Sequence, residues 1–316
     1  MKKYFVSFLC AAILFAAGPG FAEKKLIFTL NDARGDDYGD GTLIYPTQGD
    51  LKPGDLDIVS LSAREEDDGT LFEASFSNVI QDPDVRAIDA GGRQLKEVAR
   101  YGFYTFNIDI YIDMDRKPGS GFTSTLPGRN ALVASDNAWE KVICLTPQPQ
   151  GTKGLFRKYL QRYAEDKLRD VKGRVDPEDT KGIKADTATD LDGYYFFPTQ
   201  IRVFSKRITF FVPDSFLRGK AQPDWSYVVV VTASTYEESI DFANFGSSRT
   251  EPGLANLPVG EGGWSDRLGT SRKEVQLLPP IVDMIVPTGL KQDEVLRNFD
   301  VNEDRPVVLP GVVPVP

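Results

Sequence analysis

The chain has 316 residues, 37 of them basic and 46 acidic, for a formal charge of −9 at neutral pH, and it contains no histidine. The missing histidine excludes a Ser-His-Asp or Cys-His catalytic apparatus, histidine-ligated zinc and histidine-held haem. The acidic balance argues against nucleic acid or anionic lipid as partners and suits hard cations such as calcium.

Residues 1–22 read as a cleavable secretory signal peptide. Lys2 and Lys3 supply the positive start, an apolar run extends from Tyr4 to Gly18, and Pro19, Gly20 and Ala22 supply a break and a small residue for cleavage. The run is about 15 residues, short of the ~20 that a membrane-crossing helix needs. Removing Lys2 and Lys3 from the 37 basic residues leaves 35 against 46 acids, a charge of −11, with Cys144 as the one remaining cysteine and therefore no intramolecular disulfide. No later segment is long and apolar enough to span a membrane. The expected product is extracytoplasmic, in the periplasm or at the cell surface.

In chain order, Leu26–Leu30 opens as a strand, and Ile58–Ala63 and Leu71–Val79 read as a pair joined by the acidic turn Glu65-Glu66-Asp67-Asp68-Gly69. The clearest strand is Phe103–Asp113, where Phe106, Ile108, Ile110 and Ile112 alternate with Asn107, Asp109, Tyr111 and Asp113. That period of two predicts one apolar and one polar face. Residues 147–193 read as an insertion. Its first part is a helix carrying Phe156, Tyr159, Leu160 and Tyr163 at helical spacing; the charged stretch from Asp166 to Asp192 is expected to be a mobile polar loop. Ile208–Val212 and the valine-rich Tyr227–Ala233 are further strands, the latter buried on both faces. Leu290–Phe299 is a short helix, and within the Pro/Val-rich tail at 301–316 the stretch Val307–Pro316 is expected to run as polyproline II without joining a ladder. The predicted fold class is all-β: a two-sheet antiparallel β-sandwich with a short helical insertion and a C-terminal helix, forming one module over residues 23–300.

The richest chemistry lies in residues 31–46, where Asn31, Asp32, Asp36, Asp37 and Asp40 fall among Gly35, Gly39 and Gly41. Glycines let the backbone turn so that oxygens converge, and calcium takes about six to eight of them from such compact acidic loops. The same composition also describes a solvated acidic turn. On the 103–113 strand, Asp113 and Asp115 lie roughly 7 Å apart along the chain and can flank one cation, whereas Asp109 and Asp113, roughly 13 Å apart, cannot; solvent exposure or pairing with an arginine is the competing reading. Asp190-Leu191-Asp192-Gly193 is too poor in following acids to be an EF-hand loop. Trp264, in Gly260-Glu261-Gly262-Gly263-Trp264, is the best surface for stacking a sugar, with Tyr38 and Tyr45 beside the acidic loop as further candidates. Trp139 and Trp225 precede apolar strands and read as core residues, and Cys144 as a buried, inert thiol. No arrangement of side chains specific to catalysis is visible.

The segment GDDYGDGTLIYP, with Gly35, Asp36, Asp37, Gly39, Gly41, Tyr45 and Pro46, resembles the opening motif of the C-terminal binding-module-like domain of glucodextranase, which also occurs in amylopullulanase-type enzymes. Pro53-Gly54-Asp55-Leu56-Asp57, Ile110-Tyr111-Ile112-Asp113, Gly128-Arg129-Asn130 followed by Trp139, and Ile281–Pro287 continue the likeness in order. The resemblance implies a β-sandwich module that binds polysaccharide or associates with the cell surface, with calcium, and here without a catalytic domain attached. The resulting expectation is an exported, non-enzymatic module for carbohydrate or cell-surface glycan. Calcium is expected at Asp32, Asp36, Asp37, Asp113 and Asp115, and sugar at Trp264, Tyr38 and Tyr45. The alternative is an envelope structural module that binds proteins and no sugar.

Overall fold

The computed structural model describes residues 24–47, 51–85, 94–234, 256–257, 259–264, 268–273 and 275–315. The signal peptide read at 1–22 lies outside the described residues.

Two five-stranded sheets form the body. The first has the order β1 (Leu26–Asn31), β3 (Ile58–Glu66), β4 (Gly69–Phe76), β10 (Arg207–Pro213) and β9 (Ile201–Phe204), antiparallel throughout. The β3–β4 hairpin closes over Asp67 and Asp68, with Glu66 opposite Gly69. Gly69 cannot carry a side chain, because a Cβ there would lie 2.4 Å from the Phe211 ring and the Val212 carbonyl. Alternation is plain in β4 and β10: Phe72, Ala74 and Phe76, with Ile208, Phe210 and Val212, are buried, while Glu73, Ser75 and Arg207 face outward.

The second sheet has the order β14 (Ile281–Ile285), β11 (Ser226–Ala233), β5 (Phe106–Asp113), β7 (Lys141–Leu145) and β8 (Tyr195–Phe196). It is antiparallel except for the β7–β8 pair. Every residue of β5, β7, β11 and β14 is buried. One face carries Phe106, Ile108, Ile110, Val229 and Val231 into the core shared with the first sheet. The other carries Tyr111, Val142, Cys144, Val228 and Val230 into a second core, capped by Trp139, Phe156, Leu191, Leu296 and Val307. The expected two-sheet sandwich is present, with a third layer of helices and loops over its second sheet. Trp139 and Cys144 take the core positions expected of them, as does Trp225 against the first core.

That third layer covers the polar face expected of β5, and two other expectations are corrected. The polar face predicted for β5 is not solvated: Asn107, Asp109, Tyr111 and Asp113 are all buried. The charged stretch from Asp166 to Asp192, predicted as a mobile loop, continues the first helix to Lys172 and then forms a second one. After α1 (Leu95–Val98), α2 (Pro149–Lys172) ends at the left-handed Gly173, and α3 (Pro177–Tyr194) packs back along it. Local chemistry accounts for α3. Asp176 caps it by accepting from the Glu178 and Asp179 amides, Asp179 returns the bond to the Asp176 amide, and Pro177 fits the first turn. The tail does join a ladder: β15 (Val307–Leu309) runs parallel to β6 (Ala131–Val133), because Pro306 and Pro310 flank the three paired residues rather than interrupt them.

A smaller sheet, β12 (Val259–Glu261), β13 (Leu268–Thr270) and β2 (Leu43–Ile44), covers one end. The short helix α4 (Asp214–Leu217) follows β10, and α5 (Gln292–Leu296) occupies the middle of the helix expected at 290–299. No helix among the described residues is long and apolar enough to cross a membrane.

Candidate functional site

The acidic loop after β1 folds onto the edge of both sheets. The Asp32 amide donates to the Val59 carbonyl, and the Gly39 amide to the Val282 carbonyl at 2.8 Å. Val282 is the extra residue of a bulge in β14, which turns that carbonyl toward the loop. Gly39 has φ +57, and a Cβ there would meet the Leu43 side chain at 2.6 Å and the Ile281 carbonyl at 2.8 Å, so only glycine fits. The buried Gln292 of α5 fixes the loop from the other side. Its Nε2 donates to the carbonyls of Asp36, Gly39 and Val282, and its Oε1 accepts from the Met284 amide at 2.7 Å.

This framework draws carboxylates from three distant segments to one place. Oxygens of Asp32, Asp36 and Asp283 lie within 4.8 Å of one another. Asp57 stands beside them and raises the Asp32, Asp36 and Asp283 carboxyls by its charge. Each acid uses some oxygens to hold the frame. Asp283 accepts from the Ile58 amide at 2.6 Å and the Met284 amide at 2.9 Å; Asp57 accepts from the Gly35 amide at 2.8 Å. Asp37 accepts from the Gly54 amide at 2.7 Å and from the Tyr45 hydroxyl. What remains is a set of buried oxygens with no hydrogen-bond partner: Asp32 Oδ2, Asp36 Oδ1, Asp37 Oδ1 and Asp57 Oδ1.

Among the described residues no lysine or arginine forms an ion pair with Asp32, Asp36, Asp37, Asp57 or Asp283. The electrostatics follow. Burial, then the charge of Asp36, pushes the Asp32 carboxyl up to about 7. Burial also raises Asp36 and Asp37, and it raises Asp283 well above the usual range, reinforced by Asp32 and Asp36. Asp40 is different: it is buried, but it pairs with Arg272 and accepts from Thr42, so its charge is met within the chain. A compact set of oxygen donors, some without a hydrogen-bond partner and none in an ion pair among the described residues, has the donor chemistry that suits a hard divalent cation such as calcium.

Of the acids singled out in the sequence, Asp32 and Asp36 meet here, while Asp37, buried next to Asp36, lies outside the trio. Asp113 and Asp115 form a separate group with Glu140. Sequence reasoning missed Asp57, Asp283 and Glu140 as candidates. A lone acid inside the apolar run Ile281-Val282-Asp283-Met284-Ile285 was a usable signal, since an unpaired charge inside a buried strand needs a reason.

The aromatic candidates also separate. Tyr45 is buried with its hydroxyl on Asp37, so it supports the loop and has no free face for sugar. Tyr38 is 39% exposed and meets Tyr45 edge-on at 5.9 Å. Trp264 is 42% exposed. Its indole leans on Gly260, where a Cβ would lie 2.6 Å from Nε1, and its carbonyl accepts from the Thr47 amide at 3.2 Å. Gly263 brings the same loop against the exposed Ile44 of β2. Trp264 and Ile44 are thus both exposed where the 263–264 segment meets β2.

The family model for the C-terminal, SLH-like binding module of glucodextranase matches residues 27–312. No curated protein matches the chain.

Proposed function

We propose that this protein, which belongs to the family of C-terminal, SLH-like binding modules of glucodextranase, is an exported, non-catalytic module that binds carbohydrate or cell-surface glycan and holds a structural calcium ion. The observation that carries the reading is the family match across residues 27–312, which is to a binding module and not to a catalytic domain. The absence of histidine and the signal-like residues 1–22 support it.

In this reading the calcium binds to Asp32, Asp36 and Asp283, with Asp37 and Asp57 at its side. It neutralises the buried charge and fixes the loop that carries Tyr38. Trp264, with Ile44 beside it, offers a flat apolar surface against which a sugar ring stacks. The chain's own residues then divide the labour: the acids hold the loop, and the aromatics meet the ligand.

A glycan array probed with the purified protein, followed by titration of α-glucan hits, tests the sugar part. Trp264→Ala is expected to weaken binding about tenfold or more, the effect typical of losing an anchoring aromatic. A blank array, together with crosslinking that recovers one dominant envelope protein, would replace this reading with that of a protein-interaction module. Export is checked separately: the protein recovered outside the cytoplasm is expected to begin at Glu23.

A further inference from the structure

We propose that Asp113, Asp115 and Glu140 form a second cation site, of the calcium class, which clamps the loop at 114–121 to the end of the second sheet. The site is independent of the glycan reading and of the first acidic centre.

One carboxylate oxygen from each of the three residues lies within 4.8 Å of the others. That is the span available to oxygens sharing one ion at about 2.4 Å, within the calcium range. An acidic trio alone signifies little, because exposed carboxylates often cluster. Here, however, Asp113 is only 1% exposed, and its Oδ2 is buried with no hydrogen-bond partner. Glu140 Oε1 is likewise buried and unpartnered.

The remaining oxygens show that the group is built. Asp113 Oδ1 accepts from the Arg116 amide at 2.6 Å and the Asp115 amide at 3.2 Å. Glu140 Oε2 accepts from the Met114 amide at 2.7 Å. Asp115 accepts from the Lys117 amide at 2.9 Å and the Ser120 hydroxyl at 3.1 Å. Each residue therefore uses hydrogen bonds to shape the loop, and Asp113 and Glu140 each keep one oxygen free for another ligand.

The loop itself bends through left-handed Arg116, Gly119 and Gly121. A Cβ on Gly121 would lie 2.6 Å from the Trp139 carbonyl and 2.7 Å from Glu140 Oε1, so a side chain there would fill the space beside that free oxygen. Phe122 and Trp139 then exchange two backbone hydrogen bonds of 2.9 Å. Lys117, 3.5 Å from Asp115 Oδ2, is the one cation in an ion pair with the trio among the described residues, and it sits on the exposed side. Asp113 and Glu140 are in no such pair, and burial raises the carboxyls of both. Asp115 is exposed, so water can complete the coordination from that side.

The test uses the chelator-stripped full chain with terbium as the probe, read by luminescence sensitised through tryptophan, since Trp139 adjoins Glu140. Calcium competition then gives the calcium affinity. Glu140→Gln and Asp115→Asn are each expected to weaken binding at this site about tenfold or more, while Asp32→Asn leaves it unchanged. Calcium is also expected to slow tryptic cleavage after Arg116 in the unmodified chain and in Asp32→Asn, but not in Glu140→Gln. Should Glu140→Gln misfold, Asp115→Asn, at an exposed position, decides the matter. Calcium affinity and cleavage rates in Glu140→Gln and Asp115→Asn equal to those of the unmodified chain would overturn the proposal. So would loss of the whole terbium signal in Asp32→Asn alone.

Discussion

Asp109 and Asp283 both sit on fully buried strands of the second sheet, and the protein treats them in opposite ways. Asp109 faces Arg129, whose Nε donates to Oδ2 at 2.6 Å and whose Nη2 donates to Oδ1 at 3.2 Å. The guanidinium is itself buried and also donates to Asn256 at 2.8 Å. Asp283 faces Asp32 and Asp36. The first arrangement is complete within the chain; the second gathers like charges and leaves lone pairs empty. A buried charge must be matched or neutralised, and the contrast separates a carboxylate matched by an arginine from a set in which, among the described residues, no basic side chain forms an ion pair.

The largest effect that tests this contrast is at Arg129. Arg129→Ala strands Asp109 in the second core and is expected to cost about 3–5 kcal/mol of stability. Denaturant unfolding should show the same loss with calcium or with chelator. A loss that calcium repaired would mean that the two regions are not separate.

Next in size is the response to calcium. A ligand bound only by the folded state adds about 2.7 kcal/mol when present at 100 times its dissociation constant. The unmodified protein should gain stability of that order from calcium, and Asp32→Asn should lose the part due to the first acidic centre. An Asp32→Asn variant with an undiminished response would remove that centre from the account.

A third effect is in pH. Burial, then the charge of Asp36, pushes the Asp32 carboxyl of the metal-free fold up to about 7 from its ordinary value of 3.8. Between those values the folded state holds more protons than the unfolded, so the chelated protein should lose stability as pH rises from 4 to 7. Bound calcium keeps the carboxyls ionised and should flatten that slope. Thermal unfolding across this range, with and without chelator, reads the difference directly; equal slopes would contradict it.

The same contrast explains what was legible in the sequence. Four strands of the first sheet, β1, β3, β4 and β10, follow from apolar runs and alternation because one of its faces is exposed, whereas the short edge strand β9 does not. On β5 the alternation located the strand and its polar face but not the burial of that face. Tyr111, Asp109 and Asp113 are covered by loop, helix and tail segments whose approach no local pattern encodes. The helix α3 was missed because Thr187 and Leu191 are its only buried residues among those described, and its capping box, which the sequence did contain, went unread. In the acidic centre, Asp32 and Asp36 were visible because glycine and aspartate crowd together there. Asp283 was not, since it reaches the loop from about 250 positions away through a bulged edge strand.

Whether a cation occupies the acidic centre decides between a metal site and a bare cluster of buried acids. Anomalous diffraction from crystals grown with millimolar calcium tests this most directly. The predicted result is a calcium peak about 2.3–2.6 Å from oxygens of Asp32, Asp36 and Asp283. Ordered carboxyls with no ion between them at that calcium concentration would contradict it.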